Sequence, residues 1–520
     1  MRQLREKKID SLDGATFDVL VIGGGATGLG TAVNAAVRGF STLVLEQNDY
    51  AKGTSSRSTK ILHGGVRYLA QGNVKLVHEA LKEKLINYEN APHLARSMDF
   101  VIPCENLFKQ MFYAAGMIAY DALAGFPKKY LSKVVNRKIL NALMPEIDER
   151  HKDKGVIYND GQFDDARMAF ALVRTLEDNK GVAANYIKVI EFLKDGEKIV
   201  GVKALDKHSD KIITIKAKCI FNATGIYSDE VIALDKGAHE GTVTLAQGIH
   251  IVVKSDVYSS KSAMLIPKTT DGRVLFFIPW YDKVIIGTTD TKVDTVLDDP
   301  IPLREEIDLV IKNANNYLSR PIQKEDITSV FAGIRPLMKA TSSTKKISRE
   351  ESINIADSGL ISVVGGKWTT YRHMGERLVN FAIAKGKLPQ AESKTKHLKL
   401  HGYLPEDKAH SIPLSLRFYG EDLAKIKDMQ GFNHNFHSDI PINEAQVRYA
   451  VEFEQALTLD DILSRRTRCL FINAAACIEV ADSVAKIMQE VLGKDDAWRE
   501  KEVASFKNIA KKYLISSYLA

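Results

Sequence analysis

The chain has 520 residues, 45% of them hydrophobic and 26% charged, a composition that supports sizeable cores and more than one domain and excludes a disordered chain. Its formal net charge of +7 is modest, and its bases are mostly matched by nearby acids rather than gathered in an aromatic-studded stripe, which argues against nucleic acid. Cys104, Cys219, Cys469 and Cys477 show no CxxC and no paired spacing, as expected of free, mostly buried thiols in a reducing compartment.

The start of the chain is charged and has no apolar stretch suited to a signal peptide before Phe17. Nowhere do about 18 apolar residues run together, so no membrane-spanning helix is expected. "FDVLVI" reads as a buried strand, "LGTAVNAAVRGF" as a helix and "STLVLE" as a second strand, which together make a βαβ unit with a parallel sheet. Between the first strand and the helix lies Gly23-x-Gly25-x-x-Gly28. Its glycines permit a tight turn, close approach to a pyrophosphate and close helix–strand packing, and the helix N-terminus favours the anion. Ala32 keeps the helix thin against the sheet. Glu46 ends the second strand, where a carboxylate can accept from both ribose hydroxyls and so disfavours a 2′-phosphate. No second GxGxxG follows, so a flavoenzyme of this sequence would draw electrons from its substrate and pass them to another acceptor.

The next stretch, "GTSSRSTKILHGGVRYL", holds five serines and threonines and the bases Arg57, Lys60, His63 and Arg67, with no carboxylate and no period. A helix is expected over 76–90, with Leu76, Ala80, Leu81 and Leu85 on one face. Residues 107–138 are apolar, aromatic and methionine-rich, then basic at Lys128, Lys129, Lys133, Arg137 and Lys138. That stretch is too interrupted to span a membrane but suits an anionic lipid surface, the competing reading being a core helix with a solvated tail. "FDDARMAFALVRTLEDNKG" reads as a helix with Asp164 as N-cap and Gly181 at its end. From 185 to 221 the pattern turns β, with a turn at Lys194, Asp195 and Gly196, and further short strands are expected over 249–253, 274–279 and 284–287. "FNATG" and "VVGGKWTTYR" each run a buried strand into glycine, the second with Thr369 and Thr370 as cap candidates. Residues 387–399 are polar and aperiodic and read as a linker, after which three helical patterns make a small α domain.

Arg67, Arg335 and Lys367 each sit by glycine or proline at the end of an apolar stretch and not in a charged helix face, which suits the lining of a phosphate or carboxylate pocket. The competing reading for each is a solvated charge or a structural ion pair. "HEALK" carries Lys82 where a zinc helix needs a second histidine, "NDGQFDDAR" does not fit a calcium loop, and no GxSxG turn exists, so no metal or hydrolase site is assigned.

The set "GGGATGLG", "GTSSRSTKILHGGVRYL", "NATG", "IPWYDKVIIGTTDT", "AGIRPL" and "GGKWTTYR", in this order, closely resembles the FAD-dependent glycerol-3-phosphate dehydrogenases of the respiratory, quinone-linked type. The likeness runs over about 17–372, and "LSRRTRCLFINAAAC" is similar to that family's helical cap. The resemblance implies an α/β protein with an FAD-binding Rossmann-like domain of the glutathione-reductase type, an interleaved β-rich substrate domain and a C-terminal all-α cap. In this chain residues 1–394 would hold the first two and 395–520 the cap. The FAD parts would lie at roughly 15–105, 160–235 and 345–386, and the substrate parts at roughly 106–159 and 236–344.

The implied reaction oxidises sn-glycerol 3-phosphate to dihydroxyacetone phosphate by hydride transfer to FAD, with the electrons continuing to a membrane quinone. Position by position, the resemblance puts Arg67, Tyr68, Arg335 and Lys367 on the substrate, with the arginines at its phosphate, and His250 at the active-site histidine. His250 would take the hydroxyl proton, the alternative being that Arg335 orients the alcohol while water takes it. Lys367 would also stabilise charge near the flavin. The cofactor set comprises Gly23, Gly25, Gly28 and Glu46, then Thr54, Ser55, Lys60, Leu62, Gly64 and Gly65, whose hydroxyls and N–H groups suit the pyrophosphate and whose glycines let the chain pass the ring. It is completed by Val189, Ala223, Thr224 and Gly225, and by Gly366, Lys367 and Thr369. Expected partners are the substrate, the quinone and an anionic lipid surface, with the protein cytoplasmic and attached to the inner face of the cell membrane; the oligomeric state is left open, a homodimer included. The rival readings are an oxidase passing electrons to oxygen, an amine or amino-acid oxidase, and a flavoprotein without turnover.

Overall fold

The computed structural model describes residues 2–65, 72–124, 130–237, 241–339 and 352–519. Its first sheet centres on Thr16–Ile22, which runs parallel to Thr42–Leu45 on one side and to Ile212–Asn222 on the other. Val182–Ala184 and Ile361–Val364 extend the parallel set outward. Ser352–Ile355 joins antiparallel at one edge, and Ile187–Asp195 with Lys198–Asp206 forms a hairpin on Ile212–Asn222, for eight strands in all. The near-continuous apolar run of the central strand follows from its two covered faces. Val19 and Val21 pack with Leu29, Ala32 and Val33 of the helix Ala26–Val37, while Leu20 and Ile22 pack on the opposite side with Val202, Ile213 and Ile215. The wholly buried valines, leucines and isoleucines among these each contribute about 1.5–3 kcal/mol. Helix Ala26–Val37 also crosses Tyr371–Ala384 so closely that a Cβ at Gly30 would run into the Tyr371 carbonyl.

The second sheet has ten strands and is mostly antiparallel. Near one edge, Val243–Lys254 is paired with Lys283–Gly287 and with the long edge strand Ile327–Met338. It continues through Leu275–Trp280 and Ala263–Ile266 to Ala95–Cys104, Lys154–Phe163 and Ile61–Leu62, so segments far apart in sequence build one surface. The C-terminal helices Glu444–Phe453, Ala474–Leu492 and Asp496–Lys511 share a core with this sheet, in which Val447, Val480 and Phe506 lie with Ile102, Val156 and Phe331.

Most expected elements form, with some differences in detail. Asp164 caps Asp165–Asp178 by accepting from Arg167 N at 3.0 Å. Thr370 is the N-cap of Tyr371–Ala384 but makes no side-chain cap: its hydroxyl points to the Lys367 carbonyl at 3.4 Å, and Thr369 Oγ1 donates to the His63 carbonyl at 3.3 Å. The charged N-terminus forms a helix, Arg2–Leu12, that buries Ile9 and Leu12 against the first sheet. All four cysteines are buried and free. Within 107–138, the helix Leu107–Ala124 leaves Leu107, Phe108, Met111, Phe112 and Ile118 exposed, Phe108 at 81%. Among the described residues no helix is long and apolar enough to cross a membrane.

Candidate active site

A cavity of about 1090 Å³ lies between the two sheets, larger than the roughly 300–1,000 Å³ of common ligand pockets. One wall is the carboxyl end of the parallel strands, where ligands gather in open α/β sheets. There Ile22 ends the first strand and Gly23 follows it, Leu45 ends the second and Glu46 follows it, Ala223, Thr224 and Gly225 follow the third, and Gly365 and Gly366 the fourth. Gly23 has φ +107°, and a Cβ there would strike the Ala223 carbonyl. Gly25 is the N-cap of Ala26–Val37 and has no side chain to cap with; Ala26 N donates to Ser55 Oγ at 3.0 Å, and the rest of the helix's N–H end faces the cavity. Gly28 lies one turn inside, where a Cβ would strike the Gly23 carbonyl, and its task is close packing. Glu46 accepts from Gly24 N at 2.7 Å and from Asn48 N at 2.8 Å. Burial raises the pKa of its carboxyl, and these two N–H groups oppose the rise. A narrow glycine-lined turn, an open helix end and a strand-end carboxylate fit the diphosphate and ribose of a dinucleotide.

The opposite wall comes from the second sheet and presents side chains. His250, on Val243–Lys254, is 1% exposed, stacks on Phe331 with ring centroids 4.8 Å apart, and meets Thr59 Oγ1 through Nε2 at 3.0 Å. Its Nδ1 has no hydrogen-bond partner among the described residues. Burial, with the charges of Lys60 and Arg335, holds its pKa well below the ordinary histidine value, so the ring is neutral. Arg335, on Ile327–Met338, donates to the Thr289 carbonyl at 3.2 Å and to Thr288 Oγ1 at 3.0 Å, and lies 3.5 Å from Asp290. Asp290 also faces Arg273 at 3.3 Å, and both line the cavity. Lys367 lines it as well, beside Trp368, whose indole N–H donates to the Ser55 carbonyl at 2.8 Å. Among the other expected residues, Thr54, Ser55, Gly65, Val189 and Thr369 reach the cavity, while Arg67 and Tyr68 lie outside the described residues.

Lys60, Leu62 and Gly64 do not reach it. Leu62 is packed in the core, and Gly64 N donates to Tyr120 Oη at 2.9 Å. The Lys60 ammonium turns away from the cavity into the protein, 2.6 Å from Asp165 and 2.8 Å from the Ser56 carbonyl. Burial pulls its pKa down to about 7 against Asp165, which supports it, with the Arg468 charge pulling it further down. Arg57 borders the cavity but pairs with Asp299 at 2.8 Å. Two of the four bases in "GTSSRSTKILHGGVRYL", Arg57 and Lys60, are therefore held in ion pairs. Thr59, Arg273, Thr288 and Asp290 are site residues that the sequence reading did not single out. Thr288 and Asp290 stand in the quoted "GTTDT", but their place beside Arg335 depends on sheet pairing.

The fold is that of a dinucleotide-binding oxidoreductase with an added helical domain. Residues 18–372 match the FAD dependent oxidoreductase family, and residues 367–499 match the C-terminal domain of alpha-glycerophosphate oxidase. The chain is 35% identical to the mitochondrial glycerol-3-phosphate dehydrogenase of Bos taurus, over 98% of this chain and 75% of that one. It is 33% identical to that of Schizosaccharomyces pombe, over 94% and 86%. The structure of the glycerol-3-phosphate dehydrogenase from Bacillus halodurans complexed with FAD superposes with a TM-score of 0.79 at 28% identity, covering 99% of this chain and 98% of that one. The chain belongs to the FAD-dependent glycerol-3-phosphate dehydrogenase family, and its cofactor is FAD.

Proposed function

We propose that this protein oxidises sn-glycerol 3-phosphate to dihydroxyacetone phosphate and that the electrons pass to a membrane quinone. The observation that carries this reading is a cavity wall that holds the neutral imidazole of His250 together with Arg335 and Lys367. Oxidation at C2 removes a hydride from carbon and a proton from oxygen. FAD, when bound, supplies the hydride acceptor. His250 accepts the proton, which a neutral ring can do at physiological pH. Arg335, braced by Thr288 and Thr289, offers its fork to the dianionic phosphate, and Arg67 and Tyr68 are assigned to the same group. Lys367 contributes positive charge on the cofactor side. For the cofactor itself, Gly23 and Gly25 leave room for the pyrophosphate, and Glu46 keeps lone pairs for ribose hydroxyls beyond the two N–H groups it already accepts from.

The quinone and lipid reading is supported by Leu107–Ala124, which sends Tyr113 and Met117 to the cavity and leaves Leu107, Phe108 and Met111 exposed, with Lys133 and Lys138 exposed nearby. We therefore assign the protein to the inner face of the cell membrane as a peripheral protein. Passage of electrons to oxygen is the second reading, favoured by the match of 367–499 to an oxidase domain. Glycerol 3-phosphate added without oxygen should bleach the flavin band, and a quinone should restore it. No bleaching would overturn the reaction, and fast reoxidation by oxygen with peroxide release would assign the acceptor to oxygen.

A further inference from the structure

Segment 54–60 forms part of the cavity wall through Thr54, Ser55, Ser58 and Thr59, yet its only regular structure is the single 3-10 turn Thr54–Ser56. It is held in place by bonds from elsewhere. Thr54 Oγ1 donates to the Ile334 carbonyl at 2.6 Å, and the Ser56 carbonyl accepts from Lys60 Nζ at 2.8 Å and from Arg468 at 2.9 Å. Arg468 comes from the C-terminal helical domain, just past the wholly buried turn Asp461–Arg466, and is itself wholly buried. Its guanidinium also reaches the Ser464 carbonyl at 2.8 Å and Asp165 Oδ1 at 3.0 Å. The other Asp165 oxygen accepts from Ser58 N at 3.0 Å, Ser58 Oγ at 2.7 Å and Lys60 Nζ at 2.6 Å. The residue after Ser58 is Thr59, whose hydroxyl meets His250 Nε2 at 3.0 Å.

We propose that Arg468 is a positioning residue for the Thr59–His250 pair, acting through Ser56, Asp165 and Ser58. The helical domain then has a part in turnover, although Arg468 does not line the cavity. The route is continuous: one planar fork fixes a carbonyl and a carboxylate, the carboxylate fixes Ser58 through both backbone and hydroxyl, and Ser58 fixes the dihedrals that aim Thr59. Both Lys60 and Arg468 hold left-handed backbone, at φ 64° and 66°, a conformation that side-chain-bearing residues keep where surrounding contacts enforce it. With Thr59 in place, the bond to Nε2 fixes the orientation of the ring at the cavity wall. A lysine at 468 retains the charge that Asp165 needs but cannot span Ser56, Ser464 and Asp165 in one plane.

The inference rests on the proposed role of His250, and a double-mutant cycle on the holoenzyme tests it. Arg468→Lys and Thr59→Val should each lower kcat per bound FAD about tenfold while KM changes less than about threefold. Because they act on one route, Arg468→Lys should cost less than about threefold in the Thr59→Val background. A product of losses, about a hundredfold, would overturn the proposal, as would an Arg468→Lys enzyme with lowered Tm or flavin content but unchanged kcat per flavin. If Arg468→Lys does not accumulate as holoenzyme, Ser58→Ala takes its place in the cycle and is read the same way. Hydrogen exchange gives an independent arm: peptides over 54–60 should exchange about tenfold faster in the variant, with Tyr371–Ala384 unchanged. Unaltered exchange over 54–60 overturns the proposal even if glycerol 3-phosphate fails to reduce the wild type, a failure that would count against the reaction and not against the positioning.

Discussion

The wall supplied by the first sheet meets its ligand with backbone, at Gly23, Gly25 and Gly366 and the open end of Ala26–Val37, whereas the wall supplied by the second sheet meets it with side chains, at His250, Arg335 and their threonine braces. A backbone site is damaged by adding atoms and a side-chain site by removing them. The two walls should therefore fail differently, the first by losing FAD and the second by losing turnover with FAD retained.

The largest expected effect is at His250. His250→Gln should lower kcat by about 10²–10⁴-fold, the range for loss of a general base, with flavin content unchanged. A fall of less than about tenfold would put the base elsewhere and weaken the contrast between the walls. Next comes Gly25→Val, which adds bulk beside Ser55 without a strained φ. Overpacking costs about 1–3 kcal/mol, so FAD titration should show binding up to about a hundredfold weaker, with kcat per bound flavin preserved. Equal losses in both quantities would mean that the walls do not act separately.

The smallest effect is a displaced pH limb. Burial holds the folded pKa of His250 below its unfolded value of about 6.5, so the neutral, proton-accepting form persists as pH falls through that value. The acid limb of kcat/KM should therefore lie below pH 6.5, and a limb at about 6.5 would show an exposed base. Linkage has the matching sign: below about pH 6.5 the unfolded chain binds a proton that the folded chain refuses, so stability falls as pH drops.

The same contrast explains what the sequence made legible. The first wall is written in contiguous residues, strand then glycine then helix, and Glu46 ends the very next strand, so local pattern exposes it. The second wall depends on pairing between distant segments: Thr59 and His250 are 191 residues apart, and nothing near either names the other. The fork at Arg468 is hidden for the same reason. The acids that bury "LSRRTR" come from elsewhere in the chain, with Asp49, Asp165 and Asp460 pairing with Arg465, Arg466 and Arg468. Breaking such a buried pair costs about 3–5 kcal/mol, a constraint that composition cannot register. Lys60 reads with the cofactor because its neighbours do, yet its ammonium lies in the core on Asp165. Helix Arg2–Leu12 is hard to see in a charged stretch that, among the described residues, buries Ile9 and Leu12 on the sheet.

The division of labour between the walls is tested most directly by Arg335→Ala, prepared beside the wild type and reduced anaerobically with glycerol 3-phosphate. A charge-assisted hydrogen bond is worth about 1.5–3 kcal/mol, so the account predicts equal FAD occupancy with the substrate concentration for half-maximal reduction raised about ten- to a hundredfold. Loss of FAD in step with loss of reduction would contradict it and make Arg335 a residue of the cofactor site or of the fold.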